Sequence, residues 1–200
     1  MKSTIFKNAG ANLAASLRIT LATILLCGGL YPVAIWIFAR VAAPSLASGS
    51  LVRDRSGNVV GSRLVAQSIR RPEYFWPRPS AVNYNASASG GSNLSPAGSE
   101  VRDRALKTIE AFGADAKRPL SADLAAASGS GLDPFITFQA ARYQAPRVAH
   151  ARGMKLAELE KVVRRQALQN RPFWSGDGLV NVLELNRELD AGQIRNGSTP

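Results

Sequence analysis

Apolar and polar positions divide the chain into two regimes. Ile19 to Ala39 is a run of 21 residues without a charge, closed by Arg18 and Arg40. At about 1.5 Å rise per helical residue, such a run covers roughly 30 Å, the thickness of a bilayer's hydrocarbon core. It predicts a transmembrane helix over 19–39, after a short N-terminal segment at 1–18 and before a linker at 40–50. Beyond the linker the apolar positions come in short periodic stretches. These predict one mixed α+β soluble domain over 51–190 and a disordered tail over 191–200.

Within that domain, Leu51 to Val65 reads as a hairpin turning at Ser56-Gly57-Asn58, with strand residues Val59-Val60 and Leu64-Val65. Tyr74-Phe75-Trp76 lies between Pro72 and Pro77-Arg78-Pro79, which excludes a regular helix. The three aromatics read as pins for an irregular segment or as a binding cluster. Ser80 to Ser99 is uncharged and dense in Ser, Asn, Gly and Ala, the composition of a flexible linker or loop.

Val101, Ala105 and Ile109, four apart, predict a helix over 100–112. Ala122 to Ala127 reads as a short strand ending at the loop Ser128-Gly129-Ser130-Gly131. Thr137 is placed to cap a helix that Gly153 stops, with Phe138, Ala141, Ala145, Val148 and Ala149 on its apolar face. Gln144 and Arg147 lie three apart on a neighbouring face, and Pro146 kinks or restarts the helix. Leu156, Leu159, Val162 and Val163 form the inner face of a second amphipathic helix. Asn170 to Gly178 reads as a loop carrying Phe173-Trp174. Val182, Leu185 and Leu189 give helical spacing over 180–189, and the chain frays from Ala191.

The apolar run exceeds the 7–15 residues of a secretory h-region, so it reads as a retained anchor rather than a signal peptide. Gly28, Gly29 and Pro32 sit mid-span and suit a helix packed against neighbouring membrane helices. Lys2, Lys7 and Arg18 precede the run and no acid occurs before Asp54. The positive-inside rule then places the N-terminus inside and the domain outside.

Net charge is +11. Three of the 25 lysines and arginines precede the anchor, and the other 22 face 14 acids. That surplus suits anionic membrane lipid or an acidic partner. Nucleic acid is disfavoured, because the bases are scattered and no basic motif is interleaved with aromatics. Cys27, the one cysteine, lies in the apolar run, and His150 is the one histidine. A disulfide framework and a Cys- or His-based metal site are therefore excluded, and no metal is expected. Ser128 or Ser130 with His150 lacks a nucleophile-elbow sequence, so no catalytic residue is assigned. The Ser128–Gly131 loop lacks the Lys-Ser/Thr of a P-loop.

Several motifs in order carry a family resemblance: Tyr74-Phe75, Arg78-Pro79-Ser80-Ala81, Tyr84 and Ser89-Gly90-Gly91-Ser92-Asn93-Leu94. They continue with Asp123-Leu124, Ala127 to Asp133, Gln144, Arg147-Val148-Ala149, Ala151-Arg152 and Val182 to Asn186. Over nearly its whole length the chain resembles the KdpC family, found in bacterial Kdp-type potassium-transporting ATPases. Trp76-Pro77 and Phe135 depart from the family pattern.

The resemblance implies a non-catalytic, single-span subunit of a P-type potassium uptake pump in the bacterial inner membrane. Its partners would be a potassium-conducting subunit and an ATP-hydrolysing subunit. A catalytic-chaperone role, raising the pump's affinity for ATP, would fall on Gln144, Arg147 and Ser128, Gly129, Ser130 and Gly131. ATP is thus a possible cofactor through the complex. An outer domain, however, lies away from cytoplasmic ATP. The favoured reading is structural: Gly28, Gly29 and Pro32 pack on membrane partners, while Tyr74, Phe75, Arg78 and Ser89, Gly90, Gly91, Ser92 and Asn93 form a docking surface. The alternative is a nucleotide-binding subunit.

Overall fold

The computed structural model describes residues 2–54, 56–170 and 178–195. The chain divides into two compact units, Met1–Ser50 and Leu51–Pro200.

The first unit is helical from Lys2 to Ala42: α1 (Lys2–Thr23), a π-helical segment Ile24–Leu30, and α2 (Tyr31–Ala42). Of this, Ala9–Ala42 is long and apolar enough to span a membrane, and none of its residues is buried within the protein. The helix extends well beyond the predicted 19–39, because nothing in residues 2–18 breaks it and i→i−4 bonding propagates cheaply once a helix has nucleated. The π segment is Ile24-Leu25-Leu26-Cys27-Gly28-Gly29-Leu30, directly before Tyr31-Pro32. Proline supplies no N–H to the ladder, and the wider π turn is one way a helix absorbs that loss. A short helix, α3 (Pro44–Ala47), ends the unit.

The second unit carries two small antiparallel sheets and five helices among its described residues. β1 (Leu51–Arg53) pairs with β2 (Val59–Ser62), with a bulge between Val52 and Arg53. The hairpin is as expected, but Leu64 and Val65 lie beyond it. α4 (Ser99–Phe112) follows the long polar segment. α5 (Ala122–Ala125) is one helical turn where a strand was expected, since Ala and Leu favour helix and the segment has no partner strand.

β3 (Phe135–Thr137) leads directly into α6 (Phe138–Arg152), then α7 (Leu156–Gln169), β4 (Leu179–Asn181) and α8 (Val182–Arg195). β3 and β4 pair antiparallel, Ile136 opposite Val180. Val180 is therefore strand, not the start of the helix, and α8 continues past Ala191 to Arg195 rather than fraying there. Phe173-Trp174 and residues 196–200 of the expected tail lie outside the described residues.

Thr137 caps α6, its Oγ1 accepting from the Ala140 N–H at 3.0 Å, and Gly153 closes it in the left-handed conformation. The helix runs without a break through Pro146, which sits on its exposed side. Ala140, Ala141, Ala145 and Ala149 present a small-residue face, so α7 packs closely with Leu159, Val163 and Ala167. Phe75, Leu124, Ile136, Val148, Val180, Leu185 and Leu189 complete one core. At about 1.5–3 kcal/mol per large side chain, this burial is the main term holding the unit together.

Candidate functional site

The segment Arg71 to Trp76 has no regular structure, yet it crosses α6 and α8 as a strap. Two amide side chains bracket its peptide groups. Asn186 on α8 accepts from the Phe75 N–H at 2.8 Å and donates to the Phe75 carbonyl at 3.0 Å. Gln144 on α6 does the same for Trp76, at 2.8 and 3.0 Å. Each amide thus offers the donor and acceptor pair that a neighbouring β-strand would offer.

Two arginines complete the set. Arg147 donates to the carbonyls of Pro72 and Tyr74, and Arg152 donates to that of Glu73. Five consecutive strap carbonyls, Pro72 to Trp76, are therefore bonded by side chains of α6 and α8. The Phe75 ring fills the core, fully buried, and the Trp76 ring lies under the Arg147 guanidinium at 4.0 Å and against Phe112 at 5.2 Å.

The electrostatics follow the packing. Burial pulls the Arg147 guanidinium down to about 10, with Glu73 opposing, so it is charged at neutral pH. The Arg152 side chain is 1% exposed and pairs with Asp190 at 2.8 Å. Asp190 also accepts from the Tyr74 hydroxyl at 3.3 Å, and burial pushes that phenol's pKa up.

A second cluster joins the two Gly-rich segments. The Gly90 N–H and the Ser89 hydroxyl both donate to the Ser130 carbonyl, at 2.9 and 3.2 Å. The Ser128 N–H donates to the Pro79 carbonyl at 2.9 Å, and Ser128 Oγ accepts from the Asp133 N–H at 3.3 Å. Gly131 has φ +69°, and a Cβ there would stand 2.8 Å from the Gly90 oxygen and 2.6 Å from Val82 Cγ2. A Cβ on Gly91 would reach 2.9 Å from the Gly129 oxygen. The glycines are thus required by close backbone approach.

Arg78 ties this cluster to the core. It donates to the carbonyls of Asp123 and Ala127 and pairs with Asp133 at 3.2 Å. Tyr84, held at φ +57°, donates its hydroxyl to the Arg78 carbonyl at 3.0 Å, while Ser80 Oγ accepts from the Tyr84 N–H at 2.9 Å. The stretch from Ser80 to Gly91 is consequently fastened at several points, unlike the flexible linker its composition suggests.

The structure brings together Ser128 to Gly131 with Arg78 and Ser89 to Gly91, and separately Gln144 and Arg147 with Tyr74 and Phe75. Gly129, Ser130, Ser89 and Asn93 are exposed, whereas Ser128, Gly131, Phe75 and Gln144 are buried. In the anchor, a Cβ on Gly29 would meet nothing within 4 Å, and one on Gly28 only Ile24 Cγ2 at 4.0 Å, so this helix face is open. Asn186 and Arg152 are strap holders that the residue pattern alone did not single out as such. The usable signal was their polarity on helix faces that are otherwise apolar.

The model of the family "K+-transporting ATPase, c chain" (KdpC) matches residues 13–191. The chain is 49% identical over 176 residues to the potassium-transporting ATPase KdpC subunit of Parvibaculum lavamentivorans, covering 88% of this chain and 94% of that one. The same-named protein of Caulobacter sp. is 47% identical over 174 residues, covering 83% and 86%. That of Geotalea uraniireducens is 45% identical over 173 residues, covering 83% and 90%. With its single apolar N-terminal helix and mixed α+β unit, this chain belongs to the KdpC family of K+-transporting ATPases.

Proposed function

We propose that the chain is the accessory, non-catalytic subunit of an ATP-driven potassium uptake pump, where it assembles and stabilises the complex. Family membership along residues 13–191 supports the pump assignment. The observation that carries the assembly role is the strap. The amide of Gln144 is occupied by the Trp76 peptide, and Arg147 by two strap carbonyls. Gln144 and Arg147, two of the candidate nucleotide residues, therefore hold the fold together. A glutamine whose donor and acceptor are both engaged has little left to offer a ribose.

In this reading the anchor crosses the bacterial inner membrane with its N-terminus in the cytoplasm and the α+β unit outside. The partners are a potassium-conducting subunit and a P-type ATP-hydrolysing subunit. Gly28, Gly29 and Pro32 lie on an open helix face suited to a neighbouring membrane helix. The fastened loop pair around Ser89 to Asn93 offers a rigid surface with exposed polar groups, which lowers the ordering cost of docking.

Side-specific labelling tests the arrangement. Single cysteines at Ser3 and Ser99, in a Cys27→Ser background, are exposed to an impermeant thiol reagent in intact cells. Labelling at 99 and protection at 3 is expected. The reverse would put the domain beside cytoplasmic ATP and overturn the arrangement. A complex that assembles and pumps normally with Ser89 to Leu94 scrambled would overturn the docking role.

A further inference from the structure

Beside the strap, the α+β unit carries a cleft of about 640 Å³ between the β1–β2 hairpin, residues 68–71 leading into the strap, and α8; Tyr74 of the strap and its holder Asn186 form part of the lining. Its volume lies within the range of small-molecule and cofactor sites. Arg53, Arg70, Arg71 and Arg187 all line it. Among the described residues, none of Arg53, Arg70 and Arg187 has a carboxylate at ion-pair distance; Arg71 pairs with Glu73.

The two acids in the lining are already engaged. Asp54 accepts from the Asn58 N–H and side-chain amide at 2.8 and 3.2 Å, and Asp190 pairs with Arg152. The cleft is therefore electropositive, while Val60, Ile69 and Leu183 give it an apolar wall. A basic rim over an apolar wall fits an anionic amphiphile better than a free inorganic ion, which would leave the apolar surface uncovered.

The chain itself brings such molecules near. Ten residues separate the end of α2 at Ala42 from Arg53. Fully extended, that tether spans only about 35–40 Å. Bilayer lipid is thereby held at high effective concentration around the cleft, whichever face of the membrane the domain occupies.

We propose that this cleft binds the phosphate-bearing headgroup of an anionic phospholipid from the membrane in which the protein is anchored. Arg70 and Arg187 neutralise the phosphate, and Val60, Ile69 and Leu183 cover the glycerol and first methylenes. The lining includes neither Gln144 nor Arg147, although it borders the strap at Arg71 and Tyr74, and the site does not rest on the potassium-pump reading.

The test is native mass spectrometry of the full chain in neutral detergent, with equimolar phosphatidylglycerol and phosphatidylcholine of matched acyl chains. Phosphatidylglycerol is expected to be retained preferentially. R70Q/R187Q should weaken that retention about 25-fold, since each arginine at an anionic surface contributes about fivefold. R70K/R187K should retain most of it, and K161Q/R164Q, on the distant α7 surface, should leave it unchanged.

Hydrogen exchange on the unaltered chain gives a second readout that needs no variant. Phosphatidylglycerol, and not phosphatidylcholine, should slow exchange at 68–71 and 183–191. Equal retention of the two lipids, or no slowing in those segments, overturns the proposal. Complete displacement by millimolar inorganic phosphate would mean a free-anion site and overturns it as well. Displacement by an acidic peptide that binds more tightly than the lipid would make the cleft a protein-docking site instead.

Discussion

Replacing Gln144 by alanine separates the strap from a ligand role. The substitution removes two hydrogen bonds to the Trp76 peptide, at 2.8 and 3.0 Å, and the acceptor for Arg147 at 2.9 Å. Each such bond contributes about 1 kcal/mol net, and leaving a half-buried peptide group unpaired costs about 1–3 kcal/mol. One lost methylene in a side chain only 1% exposed adds about 0.8 kcal/mol. Because water can reach part of Trp76, the lower half of the resulting range applies, about 3 kcal/mol. For a unit of this size that lowers Tm by about 6–12 °C.

Q144E keeps the acceptor for the Trp76 N–H and for Arg147, but it loses the donor to the Trp76 carbonyl and sets a carboxylate oxygen against that carbonyl oxygen. It is expected to destabilise as well. The assay is thermal unfolding of the full chain in detergent, followed by near-ultraviolet circular dichroism, which reports the packing of aromatics such as Trp76. A Q144A protein that melts within about 1 °C of the parent, while ATP dependence of the assembled pump changes, would refute the strap argument and restore a ligand role for this side chain.

The other bracket behaves in the same way. N186A should destabilise by about 3–4 kcal/mol in the same melt, because Phe75 and Asn186 are both buried and no water replaces the lost partner. G131A should cost more than about 2 kcal/mol by urea unfolding, since it combines a left-handed φ with a Cβ 2.8 Å from the Gly90 oxygen. L25R places a charge within the apolar helix at a cost of about 2.5–3.5 kcal/mol, and carbonate extraction should release a larger soluble fraction. Hydrogen bonding from the Asn58 side chain holds the Asp54 carboxyl below its ordinary value, and bonding from its own backbone N–H, with help from Arg71, does the same for Glu73. Their stabilisation is complete above the ordinary carboxylate range and is lost as pH falls through the depressed values, so the melting temperature should drop as pH falls below the ordinary carboxylate range.

Features written in local pattern were legible in the sequence. The uncharged run, the Thr137 cap, the Gly153 stop and the apolar faces of α4, α6 and α7 each depend on residues within one or two turns. α5 and β4 were misread because segments of three or four residues carry no period. β4 also abuts α8 directly, so the helical spacing of Val182, Leu185 and Leu189 extends the expected helix back over Val180. The strap was invisible for a different reason. Asn186 and Phe75 are 111 residues apart, and Gln144 and Trp76 are 68 apart. Proline spacing shows only that residues 72–79 are not helical; it says nothing about what satisfies their peptide groups. The usable hint was Gln144 itself, a polar residue one position from Ala145 and four from Val148 on a buried helix surface.

The fastening of one Gly-rich segment to the other bears on how genetic data from this chain should be interpreted. Ser130 receives bonds from both Ser89 and Gly90, and Gly91 rests against Gly129. Substitutions in the 89–91 and 128–131 segments will therefore be epistatic: once one segment has lifted away, damage to its neighbour adds little. A screen that scores the two segments one residue at a time will count a single structural element twice. Pairwise substitution is the design that identifies it as one.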